Sequence, residues 1–468
     1  MSALWKLDAV HLAALLRSRD LSSREVVKAH LDRIEAVNPL VNAVPEVLRA
    51  RALAEADAAD ASIAHGDYRG AMHGVPFTVK CNVDLAGHAS HAGVPALTAT
   101  PALVDAPHVA QLRRAGGIVL ARGNMPDFGF RWHTDSSLYG ATVNPWCASV
   151  TPGGSSGGDA VAVATGMTPL ALGNDFGGSL RFPACCCGVA ALKPGLGRIA
   201  RPAPASPIEP PISFQMFAVQ GVMARRVADL ELAYAHLCAG DGSDPWWTPQ
   251  PALVVSNAER PRVAAWLGGD GWDLDAHTAG GMNAAIDALR CAGHTVEVIG
   301  PPMLAEALET YMQIVAADVR STLLGAVERL ASQATRRFVA AFMDLVPDST
   351  LSGYIAALAQ RNAIARAWAG FQQTHPLLLA PVSTRMPFAP DFDANGADAV
   401  RELMRTMAMN VAVNLLGLPA VAVPAGTAKG LPRGVQVVGP RHREDLCLAA
   451  ARHIDDVLGA AGPIDPGF

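Results

Sequence analysis

Between Val75 and Asn124 the chain changes texture three times. "GVPFTVK" is β-branched and bounded by glycine, which predicts a strand over Val75 to Lys80. "DAPHVAQLRRAGG" predicts a helix with Asp105 as its cap and glycines at its end, and "IVLARGN" predicts the next strand. Strand, helix, strand in so short a span implies an α/β fold whose sheet is covered and largely parallel. The N-terminal residues 1–65 read as helical. Ser22 and Glu25 form a capping box ahead of an apolar face ended by Pro39, and Val44 to Ile63 follows as an alanine-rich helix. A single helix is expected over Asp159 to Leu172, a helix over Ala224 to Leu237 and one helix over Ala399 to Leu416. Strands are expected in "RVAAWL", "TVEVIG" and "PLLLAPVS", and "AVAVPAG" with "RGVQVVGP" predicts a late hairpin turning at "TAKGLP". No repeat or clean boundary splits the 468 residues, so one large domain is expected.

Composition narrows the function class. Half the residues are apolar, 17% are charged and the formal net charge is -5, the balance of a globular enzyme without the basic excess of a nucleic-acid binder. Lys6, Asp8 and Arg17 interrupt the first twenty residues and no run of 18 apolar residues exists. The expectation is therefore a cytoplasmic chain with neither leader nor membrane span. The eight cysteines form no C-x-x-C pair, so free thiols are expected rather than zinc ligands. His88 and His91 have only Asp84 close by in sequence, too little for a metal site.

The chemistry lies in two glycine loops, "TPGGSSGGD" (Thr151 to Asp159) and "NDFGGSLRFPA" (Asn174 to Ala184). Backbone without Cβ lets successive N–H groups converge on one point, as an anion cradle or an oxyanion hole. No lysine follows either loop, which argues against a nucleotide phosphate site. Ser155 and Ser156 each satisfy G-x-S-x-G, but prolines flank the preceding "NPWCASVTP", a poor strand for a nucleophile elbow. The remaining combination is two serines and Lys80 at the end of an apolar strand. A lysine buried there loses basicity and can relay a proton through one serine to another, with no histidine. The adjacent Cys185, Cys186 and Cys187 read as packing behind the site.

Gly154 to Ala184, "GSSGGDAVAVATGMTPLALGNDFGGSLRFPA", resembles the signature of the amidase signature family. "GVPFTVK", "GNMPDFGFRWHTDSSLYGATVNPW" and "NLLGLPAVAVPAG" with "GLPRGVQVVGP" extend the resemblance over roughly two-thirds of the chain. The resemblance implies one domain with a twisted mixed sheet covered by helices on both sides, a catalytic core over 70–200 and a variable specificity region over 251–373. It also implies that Lys80 is the general base, Ser155 a bridging serine after a cis peptide, and Ser179 the nucleophile. Backbone N–H groups of Phe176, Gly177, Gly178 and Ser179 would form the oxyanion hole, with Ser156, Asp175 and Arg181 holding the loops. Cys81 stands where the family usually has an acid, and Asn174 and Phe176 where threonines are common. Phe176 puts a large ring beside the oxyanion loop. The implied activity is hydrolysis of a carboxylic amide through an acyl-enzyme, with no cofactor. Alternatives are a carbamate or ester hydrolase on the same triad, or the glutamine-hydrolysing component of a tRNA amidotransferase. The expected partner is a small amide or carbamate, with no nucleic acid or membrane; a homodimer is a candidate assembly. At least one of Phe128, Phe130, Trp132 and Trp146 is expected to line the acyl site, and the proline-rich Arg201 to Phe214 to form a rim or lid.

Overall fold

The computed structural model describes residues 3–202, 209–240, 242–250, 253, 260–269, 271–459 and 462–468. Residues 203–208 of the proline-rich stretch and part of 251–270 lie outside that set. In chain order the strands are β1 (Glu46–Val47), β2 (Pro76–Lys80), β3 (Ile118–Gly123), β4 (Asp135–Ser136), β5 (Gly140–Ala141), β6 (Leu170–Asp175) and β7 (Ala190–Lys193). They continue with β8 (Val219–Ala224), β9 (Val263–Ala265), β10 (Val296–Val298), β11 (Leu377–Pro381), β12 (Ala420–Ala428) and β13 (Leu431–Val438). Eleven of them form one sheet in the order β1-β3-β2-β6-β8-β7-β12-β13-β11-β9-β10, while β4 and β5 pair separately. One sheet therefore collects strands from the whole length of the chain, and the chain is a single domain.

The sheet is mixed rather than largely parallel. The βαβ unit read from sequence pairs β2 with β3 in parallel, and β2 with β6 likewise. From β6 onward β8, β7, β12 and β13 alternate in direction. Two of these, β7 and β8, carry no sequence signal of their own. Alanine supplies half of "AALK", Gln220 and Gly221 interrupt "VQGVMA", and strands buried on both faces show no apolar–polar alternation.

The two faces of the sheet differ in bulk. One face presents Phe77, Val79, Leu172, Leu192, Val421 and Val437 to one apolar layer. The other presents Ala121, Ala171, Ala191, Ala380 and Ala422 to a second layer, which includes the helix Gly157–Ala164. Small residues on both partners let that helix sit close to the strands. Lys80 lies one residue beyond Val79 and so belongs to the small-residue face.

Several local expectations are corrected. The stretch Asp159 to Leu172 is not one helix. It ends at Ala164, Gly166 turns the chain at φ +77, and β6 begins at Leu170. Pro39 lies inside the helix Ser23–Val41, two residues from its end, where a missing N–H costs one bond. Asp105 is not the cap of Pro107–Arg114; its carboxylate accepts from the Ala86 N–H and pairs with Arg113. Ala399 to Leu416 divides into Ala397–Thr406 and Ala408–Leu416, because the Thr384 N–H takes the Thr406 carbonyl. The late hairpin turns at Lys429 and Gly430, both at positive φ, as a two-residue turn requires. Among the described residues no helix is long and apolar enough to cross a membrane.

Candidate active site

Lys80 reaches the site because β2 is buried along its whole length and ends there. The side chain is fully buried, and its Nζ donates to Ser155 Oγ at 2.7 Å and to Asn174 Oδ1 at 2.9 Å. Burial pushes the ammonium down to about 8, and the neighbouring acidic groups, Asp159 foremost, oppose that shift. Asn174 is fixed in turn by donating its Nδ2 to Asn82 Oδ1 at 2.9 Å. The peptide bond between Gly154 and Ser155 is cis. Ser155 and Ser179 are 3% and 7% exposed, and both face one cavity of about 380 Å³. Ser179 Oγ makes no hydrogen bond to a described residue.

The loop carrying Ser179 is held at each peptide. The Phe176 carbonyl accepts from Tyr311 OH at 3.2 Å and the Gly177 carbonyl from Trp132 Nε1 at 3.1 Å. The Gly178 carbonyl accepts from the Phe182 N–H at 2.7 Å, and the Ser179 carbonyl from the Ser156 N–H at 3.2 Å. A peptide is planar and trans here, so fixing each carbonyl also fixes the direction of the next N–H. Gly178 sits at φ +105, a conformation that side chains resist. Its N–H is given to Asp175 Oδ1 at 2.9 Å, so it is engaged within the loop. The N–H groups of Phe176, Gly177 and Ser179 have no partner among the described residues.

Asp175 and Arg181 lock this loop to the sheet. Both are fully buried, and the Arg181 guanidinium bonds both Asp175 oxygens, Gln436 Oε1, the Asn410 carbonyl and Asn414 Oδ1. Burial alone would raise the Asp175 carboxyl; Arg181, Lys193 and the Leu180 N–H reverse this and hold it well below the carboxylate range. Ser156 contributes its N–H, while its buried Oγ has no hydrogen-bond partner among the described residues. The sequence thus points to residues that the fold does bring together, although Ser156 supports the loop through backbone rather than hydroxyl.

The cavity is walled by aromatic and apolar groups. Phe128, Phe130 and Trp132 line it, whereas Trp146 is turned away and donates to the Cys187 carbonyl. Phe176 stacks on Phe214 at 4.5 Å between ring centroids and lies 5.7 Å from Tyr311. Phe214, with Pro202 and Pro210, brings the ends of the proline-rich stretch to the rim. Tyr311, Phe338, Phe342 and Met343 supply the roof from the region where no motif is legible. Asn82, Asn174 and Gln220 form its polar end beside Lys80.

The alternative groups named from sequence are not in this arrangement. The thiols of Cys186 and Cys187 are buried and burial holds them protonated. His88 and His91 both approach Glu46, at 3.9 and 2.6 Å, a carboxylate that sequence proximity did not suggest. Among the described residues no group of three or more His, Cys, Asp or Glu is placed to hold a metal.

Comparison with known proteins matches residues 25–448 to the family model described as Amidase. An indoleacetamide hydrolase of Bradyrhizobium diazoefficiens is 39% identical over 457 residues, covering 97% of this chain and 87% of that protein. The A subunit of the glutamyl-tRNA(Gln) amidotransferase of Chromohalobacter salexigens is 32% identical, covering 94% of both chains. The solved structure of a 6-aminohexanoate cyclic dimer hydrolase complexed with substrate superposes with a TM-score of 0.84 at 28% identity, over 98% of this chain and 99% of that one.

Proposed function

This chain belongs to the amidase family and is an amide hydrolase; from that premise we propose that it cleaves the amide of an arylacetamide-type substrate through an acyl-enzyme on Ser179. The observation that carries this reading is the aromatic-walled cavity opening onto Ser155 and Ser179, with Lys80 bonded to Ser155. Flat rings of Phe128, Phe176, Phe214 and Phe338 suit a flat apolar acyl group. The relative that acts on indoleacetamide, by its name, is similar over almost the whole chain.

In the proposed reaction Ser179 Oγ bonds to the amide carbon and its proton passes to Ser155, whose own proton passes to Lys80 Nζ. The oxygen of the tetrahedral adduct takes hydrogen bonds from the unpartnered N–H groups of the 176–179 loop. Collapse of the adduct expels the amine, which takes a proton back along the same route. Water then repeats the sequence on the ester and frees Ser179. Lys80 can start this only as the neutral amine, which its burial favours.

The similarity to the amidotransferase chains supports a second reading, in which the amide is that of glutamine. A zwitterion would have to bury both charges against apolar walls, which disfavours it. The test is amine release by the isolated protein, ammonia from arylacetamides, aliphatic amides and glutamine and aniline from anilides, with carbamates and p-nitrophenyl esters alongside. The reading requires the highest kcat/KM on arylacetamides. Preference for glutamine, or for carbamates over every amide, would overturn it.

A further inference from the structure

Asp159 is a carboxylic acid in the interior that no residue visibly satisfies. It is fully buried in the first turn of the helix Gly157–Ala164, and neither oxygen has a hydrogen-bond partner among the described residues. An unpaired buried carboxylate is costly, so its position needs a reason. The sheet register supplies one. Lys80 and Gly123 are direct partners in the parallel pair of β2 and β3, so their side-chain positions share one face. A Cβ on Gly123 would fall 2.1 Å from Asp159 Oδ1 and 2.5 Å from its Cγ. The carboxyl group therefore occupies the side-chain space of the residue next to Lys80. Only glycine at 123 leaves that space open.

We propose that Asp159 is a positioning residue for the proton on Lys80: its carboxyl group, seated in the space left by Gly123, sets the pH range over which Lys80 both accepts a proton and holds it. The inference rests on the reading of Lys80 as the base. Burial by itself drives a lysine toward a permanently neutral amine, which accepts a proton poorly and cannot keep one until the leaving amine needs it. A neighbouring negative charge restores basicity. The groups that face Lys80 are Asp159, Cys81 and Asp175. Burial holds the Cys81 thiol protonated, and Asp175 is committed to Arg181. Asp159 has no such competing partner; burial raises its carboxyl to about 8 against the opposing charges of Lys80 and Arg122, so it ionises over the range in which Lys80 sheds its proton and the two titrate as a unit. Arg122 is turned toward Glu46 and the carbonyls of Cys81, Val83 and Ala89.

The experiment is the pH dependence of kcat/KM for wild type, Asp159→Asn, Asp159→Ser and Lys80→Ala, with thermal melting of each. Loss of the carboxylate removes the charge that favours the ammonium. The ascending limb of both Asp159 variants should move to lower pH by about one unit or more, and the plateau should fall because the base is weaker. A lowered plateau with the limb unmoved, or a limb moved upward, would overturn the proposal and leave Asp159 a structural group. Failure of both variants to fold would overturn it in the same way. Lys80→Ala separates the two levels of inference. An active Lys80→Ala enzyme with the wild-type limb refutes the base itself. An inactive one, beside Asp159 variants with an unmoved limb, refutes only the role given to Asp159.

Discussion

Replacing Tyr311 by Phe removes one hydroxyl from the roof of the cavity and leaves its ring contacts with Phe176 and Phe217 in place. That hydroxyl donates to the Phe176 carbonyl, whose peptide plane also carries the Gly177 N–H. Without it the plane is less constrained, and the part-buried carbonyl loses its partner. A neutral hydrogen bond of this kind contributes about 1 kcal/mol net, and an orphaned acceptor costs roughly 1 to 3 kcal/mol of stability. If about 1 kcal/mol of this reappears as poorer alignment of the Gly177 N–H in the transition state, kcat falls about fivefold. KM should change little, because the ring that meets the substrate is unchanged. Steady-state kinetics on one arylacetamide, with a thermal melt on the same preparation, reads both effects. A variant destabilised as expected but with wild-type kcat would show that Tyr311 holds the wall and not the loop. A raised KM at constant kcat would refute the argument in another way, by making the hydroxyl a substrate contact.

Other outcomes follow from the same geometry. Ser179→Ala should lose nearly all turnover with the fold intact, and a fluorophosphonate should label Ser179; peptide mapping that finds the label on Ser156 or a cysteine would reassign the nucleophile. Wild-type kcat/KM should rise with pH through about 8, because Lys80 must shed its proton before it can act; a flat profile over that range would speak against a lysine base. Dialysis against EDTA should leave turnover unchanged, and loss restored by zinc would refute the serine mechanism. His108 is buried with both ring nitrogens unpartnered among the described residues, and burial pushes it down to about 3. The unfolded chain then takes up a proton below the ordinary histidine value that the folded chain cannot, so stability is full above that value and is lost as pH falls toward 3. By about pH 5 the loss from this residue is roughly 2 kcal/mol. His108→Phe should therefore shrink the drop in melting temperature between neutral and acid buffer, and an unchanged drop would place the titration elsewhere.

The legible parts of this chain are those where a residue type has few other uses. Lys80 after an apolar strand and serines among glycines are such cases, and the fold brings Ser155 and Ser179 to one cavity with Lys80 bonded to Ser155. Position-specific chemistry also placed the late hairpin, whose turn needs Lys429 and Gly430 at positive φ. The parts that escaped reading depend on partners distant in sequence. β7 and β8 are strands because β6 and β12 flank them, not because "AALK" or "VQGVMA" prefers to be extended. The break at Met407 exists because a loop N–H from Thr384 intrudes. Tyr311 sits in an ordinary helical pattern, and nothing there announces a bond to Phe176. Asp159 stood in plain view within the glycine loop, yet its importance depends on the absent side chain of Gly123, a strand away. A glycine at the end of a β-branched strand, paired in register with a candidate catalytic residue, is the signal that could have found it.

The cavity draws its lining from Asn82, the 128–132 segment, the 174–179 loop, Phe214, the 311–343 helices and Met404. These belong to stretches that are joined only through the folded state. A ligand seated there acts as a clasp between segments far apart in the chain, and it has nothing to grip once they part. Its binding then adds to the free energy of global unfolding by RT ln(1 + [L]/Kd), or about 2.7 kcal/mol at a hundredfold excess over Kd. An inactive Ser179→Ala protein, warmed in the presence of candidate amides, would thus rank its substrates by melting temperature before any turnover is measured.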